Sequence, residues 1–105
     1  MDFRSDNIAG VAPQIMAAIA EANTGSATPY GDDDATSGLT ALFADVFETD
    51  VAVFPLGTGT AANALALSAI APPYGAMYCH ADAHVIQDEC GASELFTGGA
   101  RLVGL

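Results

Sequence analysis

The sequence predicts an α/β fold, and three of its features carry that prediction. An apolar run, Val51-Ala-Val-Phe-Pro-Leu56, reads as a buried strand. The turn Gly57-Thr58-Gly59-Thr60 leads from it straight into an apolar helix. A second strand-like run, Ala76 to His80, follows the turn Pro72-Pro73-Tyr74-Gly75. Strand, helix and strand in that order imply a parallel pair joined by a right-handed crossover.

The elements follow in chain order. Pro13 suits the first position of a helix whose apolar residues Ile15, Met16 and Ile19 share a face. Asn23 to Asp34 is dense in turn formers and reads as a loop, and its three aspartates precede a helix N-terminus, where negative charge is favoured. Leu39, Leu42, Phe43, Val46 and Phe47 then recur at helical spacing, giving an amphipathic helix expected to pack on the sheet. The helix after the glycine turn spans Thr60 to Ile70. Beyond Ala83 the pattern is weaker: Val85 to Cys90 fits a helical turn, Gly91 to Gly99 reads as loop, and Leu102 to Leu105 as a further strand. There is no internal repeat and no low-complexity tract.

Composition narrows the function. The chain has 105 residues, 51% hydrophobic, with a mean hydropathy of +0.36. That is high for so short a chain, and its end, Gly99 to Leu105, starts like a strand and carries no stop signal. Both features suggest part of a larger domain. Thirteen acidic and two basic residues give a net charge of −11. This argues against nucleic acid and anionic membranes as partners, since both demand clustered Lys and Arg. No apolar run approaches the ~20 residues of a membrane span, and Met1-Asp2-Phe3-Arg4 does not begin a signal peptide, so a cytoplasmic location is expected. Cys79 and Cys90 are expected to be free thiols rather than a disulfide framework.

Four clusters bear on chemistry. The turn Gly57 to Asn63 has the make-up of a phosphate cradle, in which glycines admit an anion to the backbone and the first helical turn presents its N–H groups. A tight strand-to-helix connection would use the same glycines. With no lysine in the chain, it is not a Walker A loop. Cys79-His80-Ala-Asp82-Ala-His84 lies past the next strand, at the carboxyl edge of the sheet where ligands bind in open parallel folds. His84 there can serve as an acid or base, as a ring stacked on a planar ligand, or as a metal ligand. The spacing of His80, Asp82, His84, Asp88, Glu89 and Cys90 matches no standard zinc pattern, and no metal is expected. Arg4-Ser5-Asp6-Asn7 is either a plain N-terminal arm or, through Ser5, a carboxylate binder. Tyr30-Gly31-Asp32-Asp33 reads as a turn and helix lead-in.

Together these motifs carry a resemblance. Phe3-Arg4-Ser5-Asp6-Asn7, Pro29-Tyr30-Gly31-Asp32, Gly57 to Leu65, Ala83-His84 and Asp88-Glu89-Cys90-Gly91-Ala92 occur in the order found at the start of the threonine aldolases. The chain resembles the low-specificity branch of that group, which includes phenylserine aldolases and belongs to the pyridoxal-phosphate-dependent β-eliminating lyases. The likeness covers nearly all of the chain but only the N-terminal third or so of such an enzyme. It implies the start of an aspartate-aminotransferase-like, fold type I large domain. Residues 1-38 would form the arm, first helix and loop, and residues 39-105 would begin the α/β cofactor-binding part. Asp34-Ala35-Thr36-Ser37-Gly38 departs from the group's usual Asp-Pro-Thr-Val-Asn.

The resemblance also implies roles. Thr58, Gly59 and Thr60 would hold the phosphate of pyridoxal 5'-phosphate, and His84 would stack on its ring and assist removal of the substrate's β-hydroxyl proton. Ser5 would bind the substrate carboxylate, Glu89 would orient the imidazole, and Tyr30 would face a neighbouring subunit's site in a homo-oligomer, a dimer or tetramer. The implied reaction cleaves L-threonine, L-allo-threonine or phenylserine into glycine and an aldehyde. The Schiff-base lysine lies outside this chain, which is expected to be inactive alone. Two rival readings stand beside this one. Gly57-x-Gly59-x-x-Ala62, with Asp82 about twenty residues beyond, fits a dinucleotide-binding oxidoreductase. A truncated, non-catalytic paralogue acting as an oligomerisation module is the other.

Overall fold

The protein is described here by a computed structural model covering residues 8–105. It divides into two compact units, with the boundary between Val53 and Phe54.

In the first unit, α1 (Pro13–Ala22) opens on its proline as the sequence predicts, and the Asn23 amide closes it by donating to the Ile19 carbonyl at 3.0 Å. Helix α2 (Asp34–Phe47) owes its start to Asp33. One carboxylate oxygen of Asp33 accepts from the Thr36 amide at 2.8 Å and the other from the Thr36 hydroxyl at 2.7 Å. Those two bonds, the hydroxyl's first, hold the Asp33 carboxyl below its ordinary pKa. Glu48, in the left-handed region at φ 54°, ends the helix. The stacked rings of Phe43 and Phe47 lie 6.1 Å apart, and most of the apolar face they share with Leu42 and Val46 is exposed. The periodicity therefore located the helix, but its apolar face is not the buried one it suggested.

The second unit holds α3 (Gly59–Ile70), β1 (Ala76–Cys79), α4 (His84–Gln87), α5 (Ala92–Thr97) and β2 (Arg101–Gly104). Strands β1 and β2 pair in parallel, from Ala76 opposite Arg101 to Cys79 opposite Gly104. This corrects two expectations. Residues 51–56 form no strand, because a strand exists only through a ladder partner and none of the described residues pairs with them. The parallel pairing predicted for that segment is made instead by β1 with β2. The second correction concerns 91–99, which contains α5 rather than loop alone. Its flanking glycines, Gly91 at φ 74° and Gly98 at φ 75°, are helix caps, and six residues between them are too few to show a helical period.

The core sits between α3 and α5, which pack together more extensively than any other pair of elements. The buried residues of the two helices are small, namely Ala64 on α3 and Ser93 and Thr97 on α5, and this lets the backbones approach. Thr97 is satisfied locally, its hydroxyl donating to the Glu94 carbonyl and accepting from the buried Ala100 amide. Past β1 the ladder continues: the Leu105 amide donates to the Cys79 carbonyl at 2.8 Å and the Ala81 amide to the Leu105 carbonyl at 3.1 Å. Here Gly104 passes so close to Ala81 that a Cβ on it would lie 2.9 Å from the Ala81 Cα. The segment leading to α4 is thereby held against the end of the sheet. No helix among the described residues is long and apolar enough to cross a membrane.

Candidate active site

The site begins at the N-terminus of α3. Thr58 is the N-cap in extended conformation, its hydroxyl oxygen accepting from the Ala61 amide and its carbonyl from the Ala62 amide, both at 3.1 Å. The amides of Gly59 and Thr60, in the first turn, have no intrahelical acceptor, and the Thr58 hydroxyl keeps its proton for a further bond. A Cβ built on Gly57 or on Gly59 would find nothing within 4 Å. Open space beside two glycines, facing the positive end of a twelve-residue helix, fits an anion the size of a phosphate group. Thr58, Gly59 and Thr60 thus form the N-cap and first two positions of α3.

One turn further along the same helix stands Asn63. Its side-chain amide donates to Oε1 of Glu89 at 2.7 Å, and Nδ1 of His84 lies 2.9 Å from that same oxygen. The three side chains come from α3, from the first position of α4 and from the turn after it. That turn is sharp: Cys90 and Gly91 are both left-handed, at φ 52° and 74°, and the Ala92 amide returns to the Glu89 carbonyl at 3.0 Å. On the other flank, the Gln87 side chain donates to the Ala81 carbonyl at 2.9 Å and steadies the approach to α4.

Burial divides the pair. The Glu89 side chain is 1% exposed and that of His84 69%. The hydrogen bond from His84 holds the Glu89 carboxyl below its ordinary pKa. It prevails over desolvation, which pushes the other way, and the Asn63 amide adds to it. An ionised carboxylate can only accept, so Nδ1 of His84 carries a proton toward it, and in the neutral imidazole Nε2 is then the acceptor, on an exposed ring. The other Glu89 oxygen, Oε2, is buried without a partner among the described residues, as are the Ser93 hydroxyl and Oε2 of Glu94. This arrangement offers an anion cradle and a base of fixed tautomer.

The remaining predicted residues fall elsewhere. Ser5 lies outside the described residues. Tyr30 lies in the first unit, left-handed at φ 65° with its side chain fully exposed, next to Gly31 at φ 88°. His80 is exposed and bonds within its own loop, Nδ1 accepting from the Asp82 amide at 3.0 Å. Among the described residues no group of His, Cys, Asp or Glu is arranged to hold a metal, and Cys79 and Cys90 are free thiols. Beside α3 an apolar cavity of about 490 Å³ is lined by Phe54, Leu56, Ala62, Leu65, Ala66 and Ala69. Asn63 is the residue that sequence reasoning placed in the glycine motif without a role. Its only signal was a polar side chain in an otherwise apolar helix.

The sequence profile of the beta-eliminating lyase family matches residues 2–105. A low specificity L-threonine aldolase of Pseudomonas aeruginosa is 48% identical over 101 residues, which are 96% of this chain and 29% of that protein. A second low specificity L-threonine aldolase, from another Pseudomonas strain, is 46% identical over the same shares of each. The chain thus spans about 29% of the length of these curated relatives.

Proposed function

The chain belongs to the beta-eliminating lyase family, and from that premise we propose that it supplies the phosphate cradle and the histidine of a pyridoxal-phosphate-dependent aldolase. The whole protein would split L-threonine, L-allo-threonine or phenylserine into glycine and an aldehyde. Supporting this are the names of the two relatives and the exposed His84 imidazole, whose Nδ1 is held by a buried carboxylate. The fold would be the start of a fold type I large domain.

Pyridoxal phosphate, when bound, accepts the electron pair freed as the Cα–Cβ bond breaks. The chain's own residues do the rest. Thr58, Gly59 and Thr60 bind the phosphate through backbone N–H and hydroxyl donors. His84 fixes the ring plane by stacking, and its Nε2 takes the β-hydroxyl proton of the substrate. Glu89 keeps the proton of the resting imidazole on Nδ1 and stabilises the imidazolium that forms. Ser5 binds the substrate carboxylate, and Tyr30 serves a neighbouring subunit of a cytoplasmic homo-oligomer. The 105 residues contain no lysine to carry the cofactor, so that residue must come from elsewhere in the protein.

The test is an absorption spectrum of the whole protein with added pyridoxal phosphate, followed by aldehyde release from L-threonine and L-phenylserine. A visible band with aldehyde release supports the proposal. Absence of both overturns it.

A further inference from the structure

Glu89 Oε1 is the shared acceptor of two donors from different elements, while its Oε2 is buried and has none. A buried carboxylate stays ionised only where hydrogen bonds to the charged form outweigh desolvation. Among the described residues two are present, and one comes from His84, the residue that Glu89 is meant to control. The other comes from Asn63, on a helix with no charged side chain of its own. We propose that Asn63 is a positioning residue for His84: by donating to Glu89 it keeps that carboxylate an acceptor, which keeps the imidazole proton on Nδ1 and Nε2 free to act as the base. The kinetic part rests on the aldolase reading, whereas the tautomer part stands on this geometry alone.

The chemistry behind it is a choice between two states of one hydrogen bond. With Glu89 ionised, Nδ1–H of His84 donates to Oε1. When the pair takes up one proton from solvent on Glu89, that O–H donates to Nδ1, the proton that Nδ1 held sits on Nε2, and the exposed nitrogen can no longer take a proton. Removing the Asn63 donor takes away one of two bonds to the charged form and raises the pH at which the second state appears. The other titratable groups on these elements are Glu94 on α5, Asp88 and the exposed thiol of Cys90 in the turn after α4, and His80 and Asp82 in the loop before it. Of these, Glu94 alone has a buried oxygen, and like Glu89 Oε2 it has no partner. None of them supplies the donor that Asn63 supplies. Asn63 also stands one turn from Gly59, so the helix that presents the cradle is the helix that sets the base.

The experiment uses the whole protein and two variants, Asn63→Leu, which keeps the size without a donor, and Asn63→Asp, which keeps the shape and places a second carboxylate beside the first. The first readout is the ¹⁵N NMR shift of the His84 ring nitrogens, measured without cofactor. Wild type should show protonated Nδ1 at neutral pH, and both variants should show the proton moved toward Nε2, further in Asn63→Asp. The second is the pH dependence of aldehyde release, with kcat about tenfold lower at about pH 6 and recovering toward wild type at about pH 9, KM little changed. A merely structural role would lower activity equally at every pH. Protonated Nδ1 unchanged in both variants overturns the inference, and so does a pH-independent loss. An inactive wild type that still shows the tautomer change would sink the aldolase reading and leave the role of Asn63 standing.

Discussion

His84 and Glu89 share a 2.9 Å hydrogen bond across the boundary of the fold, with the imidazole in solvent and the carboxylate shut away from it. A histidine held in this way has one nitrogen committed and one available. An exposed histidine without such an anchor would sample both tautomers and many rotamers, and only a fraction of them would present a lone pair in a fixed direction.

Replacing the anchor should therefore damage catalysis out of proportion to binding. In the whole protein, Glu89→Ala is expected to lower kcat by about tenfold to a hundredfold. Substrate KM should change little. Steady-state kinetics on L-threonine would check it, and an unchanged kcat would remove Glu89 from the mechanism.

Acid should loosen the same contact. The Glu89 carboxyl titrates below its ordinary value in the folded protein, so its contribution to stability is complete above the ordinary glutamate pKa and is lost as pH falls through the depressed folded value. Urea midpoints of wild type and Glu89→Gln, followed from neutral pH downward, should differ above the ordinary glutamate pKa and converge below it. A difference that persists unchanged into acid would contradict the ionised, hydrogen-bonded carboxylate.

The cradle can be tested apart from the fold. A Cβ on Gly59 meets nothing within 4 Å, so Gly59→Ala should leave stability unchanged within about 0.5 kcal/mol while its methyl occupies the space offered to the phosphate. Pyridoxal phosphate affinity should fall by about tenfold, read by cofactor titration. Undiminished affinity would place the phosphate elsewhere.

The cap separates differently. Thr58→Ala removes the acceptor of the Ala61 amide and is expected to cost about 1 kcal/mol of stability, whereas Thr58→Ser should retain most of it. Chemical denaturation of both variants tells them apart, and equal stability of the two would mean that the cap contributes nothing.

Gly104→Ala is the contrasting glycine change. Its Cβ would fall 2.9 Å from the Cα and 3.2 Å from the Cβ of Ala81, where backbone must move to relieve the contact. A loss of about 1–3 kcal/mol is expected, visible as a lowered urea midpoint.

The sequence by itself determined what depends on near neighbours. Pro13 started α1, Asp33 capped α2, and the Gly57–Thr60 turn marked the first turn of α3, because propensity, capping and turn chemistry act within a few residues. Motif order along the chain was equally legible, and it pointed to the family that the comparison found. Tertiary structure alone decided the rest. Whether 51–56 is a strand depends on a ladder partner. The link from Asn63 to Glu89 spans 26 positions, and nothing local to either residue encodes it. Glu89 is buried in the folded unit, and burial is what makes a glutamate into an anchor that must find its donors.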